Sequence, residues 1–211
     1  MNPPLRKTIA IALSAAILWV LFYGSYLPYR KSELFIQAMS TASSAKTFGE
    51  FTGLFAIPLD APSPIGQEEL VRNLGSTMLD LLKSNGENAQ LTQAATAFLN
   101  GYYKPIIDRG RGMSFEQNLF MLGSMNEIAY LKTKDTQYLA AAQQYLEQGR
   151  ELGPKRPQFL YGLMDIYRLK GDMGKATGVA QEILTLWPND EKLKNALIPT
   201  SPASKTGADK N

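Results

Sequence analysis

Residues 8–27, TIAIALSAAILWVLFYGSYL, form an apolar run that carries no charge. At a helical rise of about 1.5 Å per residue, this length reaches roughly 30 Å, the thickness of the hydrocarbon core of a bilayer. Trp19, Tyr23 and Tyr26 lie towards its C-terminal end, where amphipathic rings favour the membrane–water interface. The run therefore predicts a transmembrane helix, and Pro28 directly after it is expected to permit a break. A cleaved signal peptide is the rival reading, because Arg6-Lys7 resembles a basic leader. The run is long for that role, and its end, Phe-Tyr-Gly-Ser-Tyr, is bulky where a signal peptidase requires small residues. Basic pairs flank both ends, so the positive-inside rule votes weakly. With the free amino terminus on one side and Glu33 on the other, the expected orientation is N-terminus inside, domain outside.

Charge supports the same division of the chain. The 22 basic and 19 acidic residues give +3. Arg6, Lys7, Arg30 and Lys31 all precede the first acid, Glu33, so the remainder carries −1. A basic excess confined to the flanks of an apolar helix points to lipid headgroups and away from nucleic acid. The chain has no histidine and no cysteine. Serine–histidine triads, histidine acid–base catalysis, thiolate chemistry, disulfides and His/Cys zinc sites are thereby excluded.

Beyond the anchor the pattern is helical throughout. Residues 29–41 carry Leu34, Phe35, Ala38 and Met39 at helical spacing. A short helix with Phe48, Phe51, Leu54 and Phe55 is expected to stop at Pro58, where a proline-rich stretch runs to Pro64. Ser63-Pro64 before Gln67-Glu68-Glu69 predicts a capped helix start. Its stripe is Leu70, Leu74, Met78, Leu81 and Leu82, and Ser84-Asn85-Gly86 ends it. The next helix begins near Asn88, turns Leu91, Ala94, Ala95, Phe98, Leu99 and Tyr102 inward, and ends or kinks at Pro105. Arg109-Gly110-Arg111-Gly112 is then a turn-rich link, expected to be a solvated loop.

An internal repeat follows. Pro154 and Pro188 are 34 residues apart, and Leu160, Leu163, Met164, Tyr167, Ala176, Ala180 and Ile183 fall at tetratricopeptide (TPR) intervals before Pro188. Lys170-Gly171-Asp172 supplies the turn between the two helices of the unit. Stepping back 34 residues gives Asn126, Ala129, Tyr130, Thr133, Ala142, Leu146, Gly149 and Pro154. This earlier unit fits less well, since its turn residue Asp135 comes three positions before the place that Asp172 projects. The spacing has a physical cause: each hairpin bears an apolar stripe it cannot bury alone, and small residues such as Ala142, Ala176 and Ala180 let its helices approach. Residues 115–188 are thus expected to be TPR-like. The fold class is all-α, one N-terminal transmembrane helix followed by a helical-hairpin solenoid. Its parts are an anchor (1–28), a helical region (29–112), helix pairs with a capping helix (113–198) and a disordered tail (199–211).

The segments PSPIGQEELVRNLG (62–75) and FLYGLMDIYRLKGDMGKATGVAQEILTLWPND (159–190) resemble the extracytoplasmic tail of O-antigen ligase/polymerase-like bacterial membrane proteins. In that family a last transmembrane helix leads through a basic Tyr-Arg motif, here Leu27-Pro28-Tyr29-Arg30, into TPR units. The resemblance implies a place in the cytoplasmic membrane of a bacterium and a role in envelope polysaccharide assembly. The family's catalytic arginines and histidines belong to its polytopic portion, so none is carried over, and the chain is expected to be a detached or truncated tail rather than an enzyme.

Other motifs have plainer explanations. Gly171-Asp-Met-Gly174-Lys175 lacks phosphate-loop spacing and is the repeat's turn. Glu68 and Glu69 diverge by about 100° on a helix and are helix-start acids. Tyr102, Tyr103, Tyr161 and Tyr167 are expected in the core or at the groove edge. No cofactor or metal motif is present, and nothing supports a polysaccharide ligand. The candidate interaction surface is the row that projects from the first helices of the units: Glu127 and Leu131, then Gln158, Tyr161, Asp165 and Arg168. These do not form the Lys/Asn/Arg carboxylate clamp that captures peptide C-termini. Two functions stay open, both with the bilayer and a protein as partners: a scaffold of the ligase-like kind, or a single-pass TPR accessory subunit of a protein translocation or envelope assembly machine.

Overall fold

The computed structural model describes residues 3–84, 86, 88–112 and 114–197. Among these the fold is all-α. The expected disordered tail, residues 199–211, lies outside the described residues, as does Asn85.

A single helical rod opens the chain. Helix α1 (Pro3–Leu21) passes through a π-helical turn (Phe22–Tyr26) into α2 (Leu27–Thr41) and a short 3-10 turn (Ala42–Ser44). None of the described residues before Leu27 is buried, and the rod is long and apolar enough to cross a membrane. The break expected at Pro28 does not occur. Proline lacks an N–H and its ring crowds the carbonyl four residues back. The π turn widens the helix at that place: the Leu27 N–H bonds the Phe22 carbonyl, five residues back, and Pro28 sits in the first turn of α2. Trp19 stacks on Tyr23 and Phe22 on Tyr26 along this stretch.

Helix α3 (Phe48–Asp60) folds back on α2. Thr47 caps it, accepting from the Glu50 N–H at 3.1 Å. It does not stop at Pro58 as expected. Pro58 and Leu59 are buried, and the carbonyls exposed by the helix end are taken by Lys31, whose Nζ donates to Leu59 O (3.3 Å) and Ala61 O (2.7 Å). Phe35 of α2 meets Phe55 of α3 edge-on at 5.7 Å. Lys31 is accordingly an interior side chain and Arg30 pairs with Glu33 at 2.7 Å, so this basic pair is not the free headgroup-facing flank its sequence suggests.

Helix α4 (Gln67–Ser84) starts four residues after the predicted cap, Ser63. Ser63 makes its own turn, donating to Ile65 O at 2.8 Å, and Gly66, at φ +91°, reverses the chain before the first helical residue. Leu70, Val71, Leu74, Met78 and Leu82 form its buried stripe. Asn88 caps α5 (Ala89–Arg109), accepting from Leu91 N at 2.9 Å. That helix runs through Pro105 for a further turn. Its inward face is Thr92, Ala95, Thr96, Leu99, Tyr103 and Ile106, so Ala94 is exposed and Tyr103 takes the interior place expected of Tyr102. The buried threonines satisfy their hydroxyls on backbone carbonyls four residues back.

The remaining helices pair as α6 (Phe115–Thr133) with α7 (Thr136–Leu152), and α8 (Pro157–Leu169) with α9 (Met173–Leu186); α10 (Glu191–Leu197) packs on α9. The 34-residue interval holds from the middle of each second helix to its end. Ala142 and Ala176, Leu146 and Ala180, and Gly149 and Ile183 are buried in both, and the two helices end at Leu152 and Leu186. The mismatch at the turn is one of helix length: α7 has 17 residues and α9 has 14, the extra three lying at the N-terminus of α7. Asp135 and Asp172 both cap their helices, Asp135 accepting from Gln137 N at 2.9 Å and Asp172 from Lys175 N at 3.1 Å.

Glycine allows close approach both within the first pair and between the pairs. A Cβ on Gly149 would stand 2.1 Å from Cε1 of Phe159, and one on Gly123 would stand 2.7 Å from Cγ of Leu146. Phe159 and Leu146 therefore seat directly on the α7 and α6 backbones. One continuous core runs from Phe35 and Phe55 through Leu74, Leu99 and Leu122 to Leu163, Ile183 and Leu193.

Candidate interaction groove

The first helices of the two pairs, α6 and α8, place the predicted row. Glu127 and Leu131 are one turn apart on α6, and Gln158, Tyr161, Asp165 and Arg168 run along α8. All but Arg168 are half-buried, and Arg168 is exposed. The opposite face of α8 carries Phe159, Leu160, Leu163, Ile166 and Tyr167 into the core.

Three of the six form one electrostatic unit. Glu127 lies close enough to Asp165 to feel its charge, and Asp165 holds Arg168 at 3.6 Å. Burial pushes the Glu127 carboxyl up to about 7; Asp165 adds to the rise and Lys83 of α4 opposes it. Burial also raises the Asp165 carboxyl, against the pull of Arg168. Restricted hydration first, and the neighbouring Asp165 carboxylate second, disfavour charge on Glu127. Lys83 is absent from the sequence-derived row because it comes from a helix outside the repeat.

Tyr161 is committed elsewhere. Its hydroxyl donates to Asp190, just before α10, and this bond, with burial, pushes the phenol up to about 12. Asp190 in turn accepts from Leu193 N at 2.9 Å and so caps α10. Tyr161 is a tie between α8 and the terminal helix rather than a free aromatic anchor. No bond of Gln158 or Leu131 joins them to the charged unit. The other tyrosines are structural: Tyr103 is buried on α5, Tyr102 donates to Asp60 at 3.0 Å, and Tyr167 donates to Glu147 at 3.2 Å.

A larger hollow lies away from this row, about 850 Å³, between Met39, Ala42, Phe48, Phe51, Leu81 and Leu91. Its walls come from the ends of four helices, and periodicity within any one of them does not reveal it. Comparison with protein-family models, with curated proteins and with solved structures finds no match.

Proposed function

We propose that this chain is a membrane-anchored interaction scaffold whose TPR-like helix pairs present the α6–α8 face to a protein partner outside the cytoplasm. The observation that carries the reading is the unbroken rod from Pro3 to Ser44: its first part is apolar and wholly exposed, and its second part packs into the helical domain. An exposed apolar helix of that length needs lipid around it. The 34-residue correspondence between α7 and α9 and the alanines and glycines at the helix contacts support the TPR assignment. On the α6–α8 face, Glu127, Asp165 and Arg168 offer charge that the core does not consume. The resemblance to the tail of O-antigen ligase-like proteins gives this scaffold its context, envelope polysaccharide assembly in the bacterial cytoplasmic membrane.

Two fusions test the topology. Alkaline phosphatase joined after Asn195 is expected to be active, and a fluorescent protein that matures only in the cytoplasm, joined at the same place, is expected to be dark. A bright reporter with an inactive phosphatase overturns the orientation. A photo-crosslinking residue at Gln158 is expected to trap a protein partner in intact membranes, with no adduct from the same residue at Gln181 on α9. Equal adducts from both positions overturn the assignment of the working face.

A further inference from the structure

The geometry points to a second membrane contact: we propose that the end of the domain formed by the 61–66 loop and the 109–112 turn rests on the lipid headgroups, with Ile65 inserted among them and Arg111 on lipid phosphate. This rests on the reading of α1 as a membrane anchor. The anchor and the domain share one rod, so height above the bilayer can be counted along α2. Lys31 is four residues past Leu27, the end of the apolar run, hence about 6 Å beyond it. Its ammonium holds the carbonyls of Leu59 and Ala61, which fixes the start of the 61–66 loop at that height.

Two further contacts place the other helix ends. The Thr77 hydroxyl meets the Met39 sulfur at 3.9 Å, and both line the hollow at the far end of α2, so the start of α4, ten residues earlier, lies back towards the membrane. Tyr102 donates to Asp60 at 3.0 Å, so the last two turns of α5, down to Arg109, lie at the membrane-proximal end of the domain. Arg109 bonds Glu68, in the first turn of α4, at 3.1 Å, which ties this turn beside the 61–66 loop. A headgroup layer is roughly 5–8 Å thick on each side of the core. Both loops therefore lie at the end of the domain that faces it.

Their chemistry suits that layer. Ile65 is 63% exposed on a loop whose other tip residues, Pro62 and Pro64, are exposed as well. Proline stiffens the loop and removes backbone donors that would otherwise need partners. Arg111 is exposed on the neighbouring turn, while Arg30 and Lys31, nearer the anchor, are occupied by Glu33 and the α3 carbonyls. An apolar side chain flanked by a free guanidinium is the composition of an interfacial contact with anionic lipid. Docking at this end would hold the domain upright and the α6–α8 face at a set distance from the bilayer.

The test uses the full chain in phosphatidylcholine vesicles containing phosphatidylglycerol. The chain has no cysteine, so Ile65→Cys, Gln181→Cys and Ser14→Cys each give a single labelling site for a nitrobenzoxadiazole dye. The Ile65→Cys label is expected to emit to the blue of the Gln181→Cys label, to be reduced by aqueous dithionite several-fold more slowly, and to be quenched by headgroup-level nitroxides. Adding Arg111→Glu is expected to remove much of that protection. If the Ile65→Cys label is reduced as fast as the Gln181→Cys label while the Ser14→Cys label stays protected, the docking is wrong and the anchor stands. If the Ser14→Cys label is itself accessible, the anchor reading fails and the docking fails with it.

Discussion

Lys31 donates to the carbonyl of Ala61 at 2.7 Å, across thirty residues of sequence, and closes the α3 helix end against the rod. Burial lowers the pKa of this ammonium and Asp60 opposes the shift. The cation sits where the negative end of the α3 dipole and its unpaired carbonyls accumulate. Lys31→Met keeps the aliphatic stem and leaves the Leu59 and Ala61 carbonyls without their donor, at a cost of about 1–3 kcal/mol. Arg30→Gln removes only an exposed pair and is expected to change stability by less than about 1 kcal/mol. Thermal unfolding of the full chain in detergent micelles compares the two, and equal melting temperatures reject the role given to Lys31.

Two glycines give opposite expectations. Gly149 lies under the Phe159 ring, so Gly149→Ala forces ring or backbone to move and is expected to cost about 1–3 kcal/mol. Gly178 in α9 has open space where its Cβ would go, and Gly178→Ala is expected to stabilise by roughly 0.5–1 kcal/mol through backbone entropy alone. Circular dichroism melts of the pair read both signs in one experiment. A neutral Gly149→Ala would mean that α7 and α8 do not meet as described.

Helix periodicity and proline spacing were enough to read the apolar rod, the order of the helices and the 34-residue correspondence of α7 with α9. The errors have a common cause. Pro28 and Pro58 each suggest a stop and Pro105 a stop or a kink, and each is carried through: by the π turn before Pro28 in the first case, and by placement near a helix end in the other two. Local propensity does not see these accommodations, because they depend on a neighbouring turn or a distant donor such as Lys31. The same holds for the groove. Helical spacing put Tyr161, Asp165 and Arg168 on one face, but the Asp190 tie and the approach of Lys83 involve residues from other elements. Helical spacing alone turns Ala94 inward, while Thr92 and Thr96 do the burying by returning their hydroxyls to the helix backbone.

The Glu127 carboxyl, raised from 4.5 to about 7, binds its proton more tightly in the folded than in the unfolded chain. Its contribution to stability is therefore full below the unfolded value and is lost as pH rises through the folded one. The melting temperature is expected to fall between about pH 5 and pH 8, with one pKa unit corresponding to about 1.4 kcal/mol before solvent screening is allowed for. Glu127→Gln cannot ionise and is expected to flatten that fall, gaining stability at the alkaline end. An unchanged pH profile in the variant would show that Glu127 is hydrated like an ordinary surface carboxylate.

Tyr161 and Arg168 separate structure from recognition on the same helix. Tyr161→Phe deletes only the hydroxyl that reaches Asp190, and a lost hydrogen bond of this kind costs about 0.5–1.5 kcal/mol. Because Asp190 caps α10, the loss is expected to appear first as faster hydrogen exchange at the amides of Leu193 and Lys194, with α6 and α7 unchanged. Arg168→Ala removes an exposed side chain whose one ion pair is a long one to Asp165, and stability is expected to stay within about 0.5 kcal/mol. Its effect belongs instead to partner capture in membranes, where arginine is a common anchor of binding energy. If Arg168→Ala retains the cross-linked partner in full yield while Tyr161→Phe loses it, the terminal helix and not the α6–α8 face is the working surface.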